Sequence, residues 1–120
     1  MVIPKQGEIY WVRFGSSGNS GPSGKRPAVI VQNDLLNSSN IRTTVVALLT
    51  SNLKLANVPG NVRLKKGMAN LPKGSVVVVS QIATVDKNRL LEKIGTLNSK
   101  KVEEVIRGCQ EVISLRIFFK

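Results

Sequence analysis

The sequence predicts a mainly β protein of the α+β class, in which a small barrel or strongly curved sheet is closed by one C-terminal helix. Its 120 residues, 42% of them apolar, can form one hydrophobic core. Short segments rich in β-branched and aromatic residues alternate with Gly, Pro, Asn and Ser, as in sheets of short strands. Near the C-terminus the apolar spacing becomes helical. We therefore predict a single domain over residues 1–120.

Six segments have the composition of strands. In chain order they are Glu8–Phe14, Pro27–Gln32, Arg42–Thr50, Asn61–Lys66, Ser75–Val85 and Lys93–Leu97. In the fourth segment apolar and basic residues alternate, so Arg63 and Lys65 share one solvated, basic face. The runs PAVIV and VVVV have no polar position, which predicts strands covered on both faces by the core and by a helix or a second subunit.

A helix is predicted from Asn98 onward. Asn98 or Ser99 can cap its N-terminus, and Glu103 and Glu104 lie near the positive end of its dipole. Residues at helical spacing are predicted to face the core: Val102, Val105, Ile106, Cys109, Val112 and Ile113. The terminal LRIFFK is apolar where a chain end is normally polar, so it either closes the core or meets another chain.

The charge balance indicates a polyanionic partner. Lys and Arg number 18 against 7 Asp and Glu, a net charge of +11, and such a charge attracts nucleic acid from a distance. An anionic membrane would attract it too, but no apolar run approaches the roughly 18 residues of a spanning helix, and no signal peptide opens the chain. We expect a cytoplasmic protein without membrane association. The single cysteine agrees, since it cannot form an internal disulfide.

The absence of histidine restricts the available chemistry. It excludes Ser-His-Asp triads, Cys-His pairs and His-ligated zinc. The seven carboxylates are scattered along the chain, so we predict neither a metal site nor a cofactor. Any catalysis must use Arg, Lys, Thr, Ser, Gln and backbone amides, which are suited to stabilising negative charge on phosphorus.

The stretch GSSGNSGPSGK runs from Gly15 directly into Arg26-Pro27. An interdomain linker would need a second folded unit, and only 14 residues precede it. Loops of this length commonly bind ligands or act as lids, and glycines allow backbone amides to approach a phosphate chain. We therefore predict a loop within the domain that covers a binding site.

Several motifs follow one another along nearly the whole chain: KQGEIYWVRF, SGPSGKRPAVIVQND, VVALLTS, NVRL, VVVVSQIATVDKNRL and KIGTLNSKKVEEV. In this order and spacing the sequence resembles the MazF/PemK (Kid) toxins of bacterial toxin–antitoxin pairs, endoribonucleases often called mRNA interferases. The resemblance implies a small SH3-like curved β-barrel with a C-terminal helix. It also implies a homodimer that binds RNA in a groove at the subunit interface.

The resemblance implies three catalytic residues, Arg26, Thr50 and Ser20. A 2′-hydroxyl can attack its own phosphate without a metal if fixed donors meet the developing charge. Arg26, a permanent cation with a planar fork, would stabilise that charge, Thr50 would donate a hydrogen bond, and Ser20 would orient the backbone. Each has a plainer interpretation: Arg26 as a surface ion pair and Thr50 as a strand-end hydroxyl that bonds a turn.

Three residues, at two places in the sequence, depart from the family pattern. Gly21-Pro22 stands where relatives carry Glu-Gln after the loop serine, and Ser80 stands where many place an acid before the glutamine. A mechanism that uses a loop glutamate as base is therefore not transferred to this chain.

Further residues are candidates for RNA contacts. Gln81 is a candidate for reading a base edge, although a strand glutamine is as often a structural hydrogen bonder. The other candidates are Gly18, Asn19 and Lys25. Phosphate contacts are predicted for six basic residues, each of which can also be ordinary solubilising charge: Arg63, Lys65, Lys54, Arg42, Lys66 and Lys73.

Two other functions remain open at this point. A non-catalytic RNA-binding barrel would have the same charge and fold. A gyrase-targeting toxin of this fold would depend on C-terminal residues, typically a tryptophan, whereas the only tryptophan here is Trp11. The partners implied by the resemblance are single-stranded mRNA, a cognate acidic antitoxin and a second copy of the chain.

Overall fold

Six antiparallel strands form one curled sheet in the computed structural model, which describes residues 2–15 and 24–115. The strands are β1 Glu8–Arg13, β2 Lys25–Ile30, β3 Thr43–Thr50, β4 Val62–Leu64, β5 Ser75–Asp86 and β6 Leu90–Thr96; the helices are α1 Asp34–Asn37 and α2 Ser99–Val112. The strand order in the sheet is β4-β5-β3-β2-β1-β6. The predicted mainly β fold with a C-terminal helix is confirmed.

All six predicted strands are present, but several of their ends differ from the prediction. The β2 strand begins at Lys25 because that residue still pairs with Arg13 of β1. The β4 strand has three residues instead of six, since only Val62, Arg63 and Leu64 pair with β5. The short α1 helix was not predicted; the Asn33 side chain caps it by accepting from the Leu35 amide.

Irregular pairing curls the sheet. Ala47 of β3 pairs with Ile82 of β5, but Leu49 pairs with Val77, so β3 advances two residues while β5 advances five. The pairing of β1 with β6 is also irregular at two points. Extra residues on one strand of a pair bend it and increase its twist. The first residues of β5 pair with β4 on one side and with the end of β3 on the other, and its last residues pair with the start of β3.

The curl brings the two edges of the sheet together at Gly95 of β6. A 3-10 turn after β4, Met68–Asn70, packs there so closely that a Cβ at Gly95 would overlap the Ala69 carbonyl. Only glycine permits this approach. The edges therefore close through the turn, without a ladder of hydrogen bonds between β4 and β6.

Both faces of the sheet are covered, as the apolar runs predicted. One cluster includes Ile9, Val29 and Leu49 and packs against Val105 and Cys109 of α2. The second lies on the opposite face; its members are Tyr10, Val12, Ala28, Ile30, Val46, Val85 and Leu90. Alternate residues of one strand thus enter different clusters, which explains why PAVIV has no polar position.

The helix α2 begins where it was predicted, but its buried face ends earlier than predicted. Asn98 is the N-cap, and its side chain accepts from the Lys101 amide at 2.9 Å. The prediction that Val112 and Ile113 face the core is wrong for the described chain, because they are 45% and 77% exposed. Cys109 is the last buried residue of α2, and Ile113 beyond it lines an open apolar groove beside the sheet. No helix in the described part of the chain is long and apolar enough to cross a membrane.

Candidate active site

Arg26 and Thr50 come together at one end of the sheet. They lie on adjacent antiparallel strands, and Ala28 of β2 pairs with Leu48 of β3. Arg26 lies two residues before Ala28, and Thr50 lies two residues after Leu48. The same antiparallel register therefore places Arg26 opposite Thr50. The guanidinium reaches across, and its Nη2 donates to the Leu49 carbonyl at 3.3 Å. The structure therefore unites two of the three catalytic residues that the sequence predicts.

A pocket of about 280 Å³ opens at this strand end. It is lined by Trp11, Lys25, Arg26, Pro27, Leu49, Thr50, Ser51, Lys73 and Ser75. Three of these residues are cationic, and none of the described residues that line it is a carboxylate. Such a lining attracts a phosphate or another anion.

The Arg26 guanidinium is available for a ligand. Within residues 2–15 and 24–115, no carboxylate lies within ion-pair distance of Arg26. The plainer interpretation of Arg26 as half of a surface ion pair therefore finds no partner there. The Leu49 carbonyl fixes one nitrogen, and the rest of the planar fork can face two oxygens of one phosphate.

The Thr50 hydroxyl is held by the turn that follows β3. Its Oγ1 accepts from the Asn52 amide at 3.2 Å, as expected for a strand-end threonine. This bond uses the oxygen as an acceptor and leaves the hydroxyl proton free to donate. The turn contact and a role in binding an anion are thus compatible, because the first orients the donor for the second.

Lys25 and Trp11 form one wall of the pocket. The Lys25 Nζ lies 5.1 Å from the centroid of the Trp11 ring, a cation–π contact. Trp11 is half-buried and pairs with Pro27 across the β1–β2 ladder. Sequence reasoning assigned no role to Trp11. The sequence does contain an indication of a role: Trp11 lies in the strand that precedes the Gly-rich loop. In the hairpin it is opposite Pro27, the residue after Arg26.

Lys73 and Arg63 extend the positive charge beside the pocket. Lys73 lines it directly, and the next residue, Gly74, lies close to the Arg63 guanidinium, 3.5 Å from where a Cβ on Gly74 would be. Arg63 is exposed on β4, as the alternation predicted. Lys73 thus has a stronger structural case than Lys65 or Lys54 as a phosphate contact.

Six predicted RNA contacts in the described chain do not line the pocket: Lys54, Lys65 and Gln81, together with Arg42, Arg63 and Lys66. Lys54 is exposed in the 3-10 turn Leu53–Asn57, and Lys65 is exposed just after β4. Gln81 is exposed on β5, where the pairing with β3 is irregular. Their positions suit contacts with a chain longer than one nucleotide, outside the pocket itself.

Ser20, Gly18 and Asn19 lie outside the described residues, but both ends of their loop are described. The Phe14 amide donates to the Gly24 carbonyl at 2.5 Å. Arg89 also holds the N-terminal end of the loop, donating from Nη1 to the Gly15 carbonyl at 2.9 Å. The loop therefore starts and finishes beside the strand that carries Lys25 and Arg26.

Glu8, the carboxylate of β1, is buried and paired with Lys93, which indicates a structural role. Burial of Glu8 alone would raise its pKa, but Lys93 at 2.9 Å, the Lys5 amide and the Tyr10 hydroxyl lower it overall. Burial and the neighbouring Glu8 carboxylate raise the pKa of Tyr10 to about 12. Burial also raises the pKa of Cys109, so its thiol stays protonated. In the described part of the chain, no three potential metal ligands among His, Cys, Asp and Glu come together.

The sequence matches known relatives over almost its full length. The family model of the PemK-like, MazF-like toxin of type II toxin–antitoxin systems matches residues 5–113. Endoribonuclease MazF6 of Mycobacterium tuberculosis is 39% identical over 115 residues, which cover 96% of this chain and 100% of the relative. Endoribonuclease MazF of Staphylococcus saprophyticus is 39% identical over 101 residues, or 84% of this chain and 83% of the relative.

Solved structures share the fold. A mycobacterial endoribonuclease in complex with its cognate antitoxin has a TM-score of 0.73 at 20% identity, covering 95% of this chain and 98% of that one. A MazE–MazF structure from Deinococcus radiodurans has a TM-score of 0.73 at 19% identity, covering 97% and 100%. The sequence match and the shared fold agree: the chain belongs to the family of PemK-like, MazF-like toxins of type II toxin–antitoxin systems.

Proposed function

We propose that this protein is a toxin endoribonuclease that cleaves single-stranded mRNA without a metal ion, acting in the cytoplasm. The observation that carries the proposal is the pairing of Arg26 with Thr50 at a cationic pocket in a family whose relatives are named endoribonucleases. Those names support neither alternative, the non-catalytic RNA-binding barrel nor the gyrase-targeting toxin.

The proposed reaction is a transesterification within the RNA. The 2′-oxygen forms a bond to the adjacent phosphorus, the bond from phosphorus to the 5′-oxygen breaks, and the products carry a 2′,3′-cyclic phosphate and a 5′-hydroxyl. The 2′ proton is released, and the 5′-oxygen takes up a proton. Arg26 neutralises the charge that develops on the phosphorus oxygens, and the Thr50 hydroxyl donates to one of them. DNA lacks the 2′-hydroxyl and is not cut.

The remaining predicted contacts would hold the RNA chain around this centre. Lys25 and Lys73 line the pocket, so they would bind the phosphates nearest the reacting one. Ser20, Gly18 and Asn19 would position the backbone from the loop. Farther out, Arg63, Lys65, Lys54 and Gln81 would contact flanking nucleotides.

Cleavage of a complex single-stranded RNA pool in EDTA, with a DNA pool in parallel, tests the proposal. We expect cleavage of RNA only, and loss of it in Arg26→Ala. Arg107→Ala is the matched control, because it removes the same charge from an exposed residue of α2 whose partner is Glu103 at 3.5 Å. Activity that disappears in EDTA, or that persists in Arg26→Ala, would refute the proposal.

An acidic antitoxin is the proposed protein partner. Structural relatives have been solved with antitoxins, and a surface with a net charge of +11 suits a chain rich in Asp and Glu. Bound across the pocket, such a chain would exclude RNA. Titrating the product of the neighbouring upstream reading frame against cleavage tests this: saturating binding that leaves cleavage intact would exclude occlusion.

A homodimer is the proposed assembly. Ile113 is 77% exposed and Leu115 is 90% exposed at the end of α2. Ile113 lines an apolar groove of about 350 Å³, with Val31, Val45 and Ile82 among the other lining residues. Exposed apolar surface of this kind is typical of subunit contacts. Light scattering at micromolar concentration should give twice the chain mass, and a monomer mass would count against the dimer.

A further inference from the structure

The position of Trp11 is not explained by the core. A tryptophan that only filled space would belong to one of the two apolar clusters, and Trp11 belongs to neither. It is half-buried in the wall of the pocket that holds Arg26 and Thr50. Its neighbours on the strand, Tyr10 and Val12, are buried in the second cluster. Side chains alternate along a strand, so the indole lies on the sheet face opposite Tyr10 and Val12, where it lines the pocket.

The Trp11 ring already contacts a cation, the ammonium group of Lys25. The exposed Lys25 places its ammonium 5.1 Å from the ring centroid. Aromatic faces attract cations, but an exposed contact of this kind is weaker than the stacking of a nucleobase on the same face. The Lys25 side chain is long and flexible, and a phosphate oxygen is a stronger partner for its ammonium than a ring.

We propose that Trp11 is a stacking platform for the nucleobase next to the phosphate at Arg26, and that Lys25 leaves the ring for the RNA backbone when RNA binds. This inference rests on the proposed function. Stacking accepts any base, since every base has a π face. Trp11 thus supplies affinity and holds the ribose beside the pocket, whereas base selection belongs to other residues.

The chain contains one tryptophan, so its fluorescence reports on this residue alone. The probe is a random-sequence pool of short single-stranded DNA, which cannot be cut because it lacks 2′-hydroxyls. An abasic oligomer of the same length and charge is the matched ligand. We expect the DNA pool to quench Trp11 fluorescence in a saturable way, and the abasic oligomer to bind with at most a small part of that quenching.

Substitutions give the second measurement, by anisotropy of labelled DNA. Trp11→Leu should weaken binding about tenfold or more because it removes the stacking face, whereas Trp11→Phe should bind within about threefold of the wild type. Thermal unfolding of both variants establishes that they are folded. The fluorescence titration uses the unaltered protein and decides the matter even if Trp11→Leu fails to fold.

Unchanged fluorescence at saturating DNA, equal quenching by the abasic oligomer, or wild-type affinity in folded Trp11→Leu would each overturn the stacking proposal. The cleavage assay on pooled RNA is separate. RNA that is cut while Trp11 remains unquenched refutes stacking alone. Quenching without RNA cleavage refutes the endoribonuclease and leaves a nucleic-acid-binding platform.

Discussion

Replacing Thr50 by valine should abolish most activity without destabilising the protein. Valine keeps the branched shape and removes the hydroxyl. The one described hydrogen bond of that hydroxyl is accepted from the Asn52 amide at 3.2 Å. Asn52 is exposed, so water can replace the lost acceptor. The free energy of unfolding should therefore fall by less than about 1 kcal/mol.

The effect on the rate should be much larger. Removing one preorganised donor to a developing oxyanion typically costs about a hundredfold in rate, and we expect this loss in Thr50→Val. Thr50→Ser retains the hydroxyl and is the matched control, expected within about tenfold of the wild type. Single-turnover cleavage of a fluorogenic single-stranded RNA gives the rates, and urea unfolding gives the stabilities. Thr50→Val cleaving within about threefold of the wild type would refute the role assigned to Thr50.

Two further predictions concern the fold. Gly95→Ala should lower the free energy of unfolding by about 2–3 kcal/mol, because its Cβ would lie 2.5 Å from the Ala69 carbonyl carbon where the sheet edges meet; a loss below about 0.5 kcal/mol in urea unfolding would contradict this packing. The lowered pKa of Glu8 means that its contribution to stability is full above the ordinary value of 4.5 and is lost as pH falls below it. Glu8→Gln should therefore be less stable than the wild type at pH 7, and the difference should shrink as pH falls below that value; a constant difference would argue against the pairing with Lys93.

The strands and the helix start could be predicted because their causes are local. Runs of β-branched residues such as VVVV favour strands wherever they occur, and Asn98 caps α2 through its own side chain. The end of the buried helix face could not be predicted, because the burial of Val112 and Ile113 depends on which elements pack against the end of α2. Helical spacing does not reveal that packing, which leaves Ile113 at an open groove.

The candidate site could be predicted only in part for the same reason. The resemblance identified Arg26 and Thr50 separately, but their juxtaposition depends on the register of β2 with β3. The contact of Lys25 with Trp11 depends on the register of β1 with β2. The long loop between these strands prevents that register from being predicted from the sequence. Lys73 approaches the pocket because β5 begins beside the end of β3. Charge alone did not distinguish it from Lys54 or Lys65.

The most direct test of the central claim is the fate of a single linkage. Sequencing the ends produced from pooled RNA identifies a cleaved linkage, and an oligonucleotide is then made with 2′-deoxyribose at that one position. If the Arg26 pocket promotes attack by the 2′-hydroxyl, the all-RNA oligonucleotide gives a 2′,3′-cyclic phosphate and a 5′-hydroxyl in EDTA, and the deoxy linkage stays intact. Cleavage at the deoxy linkage, or a 5′-phosphate on the product, would contradict the mechanism.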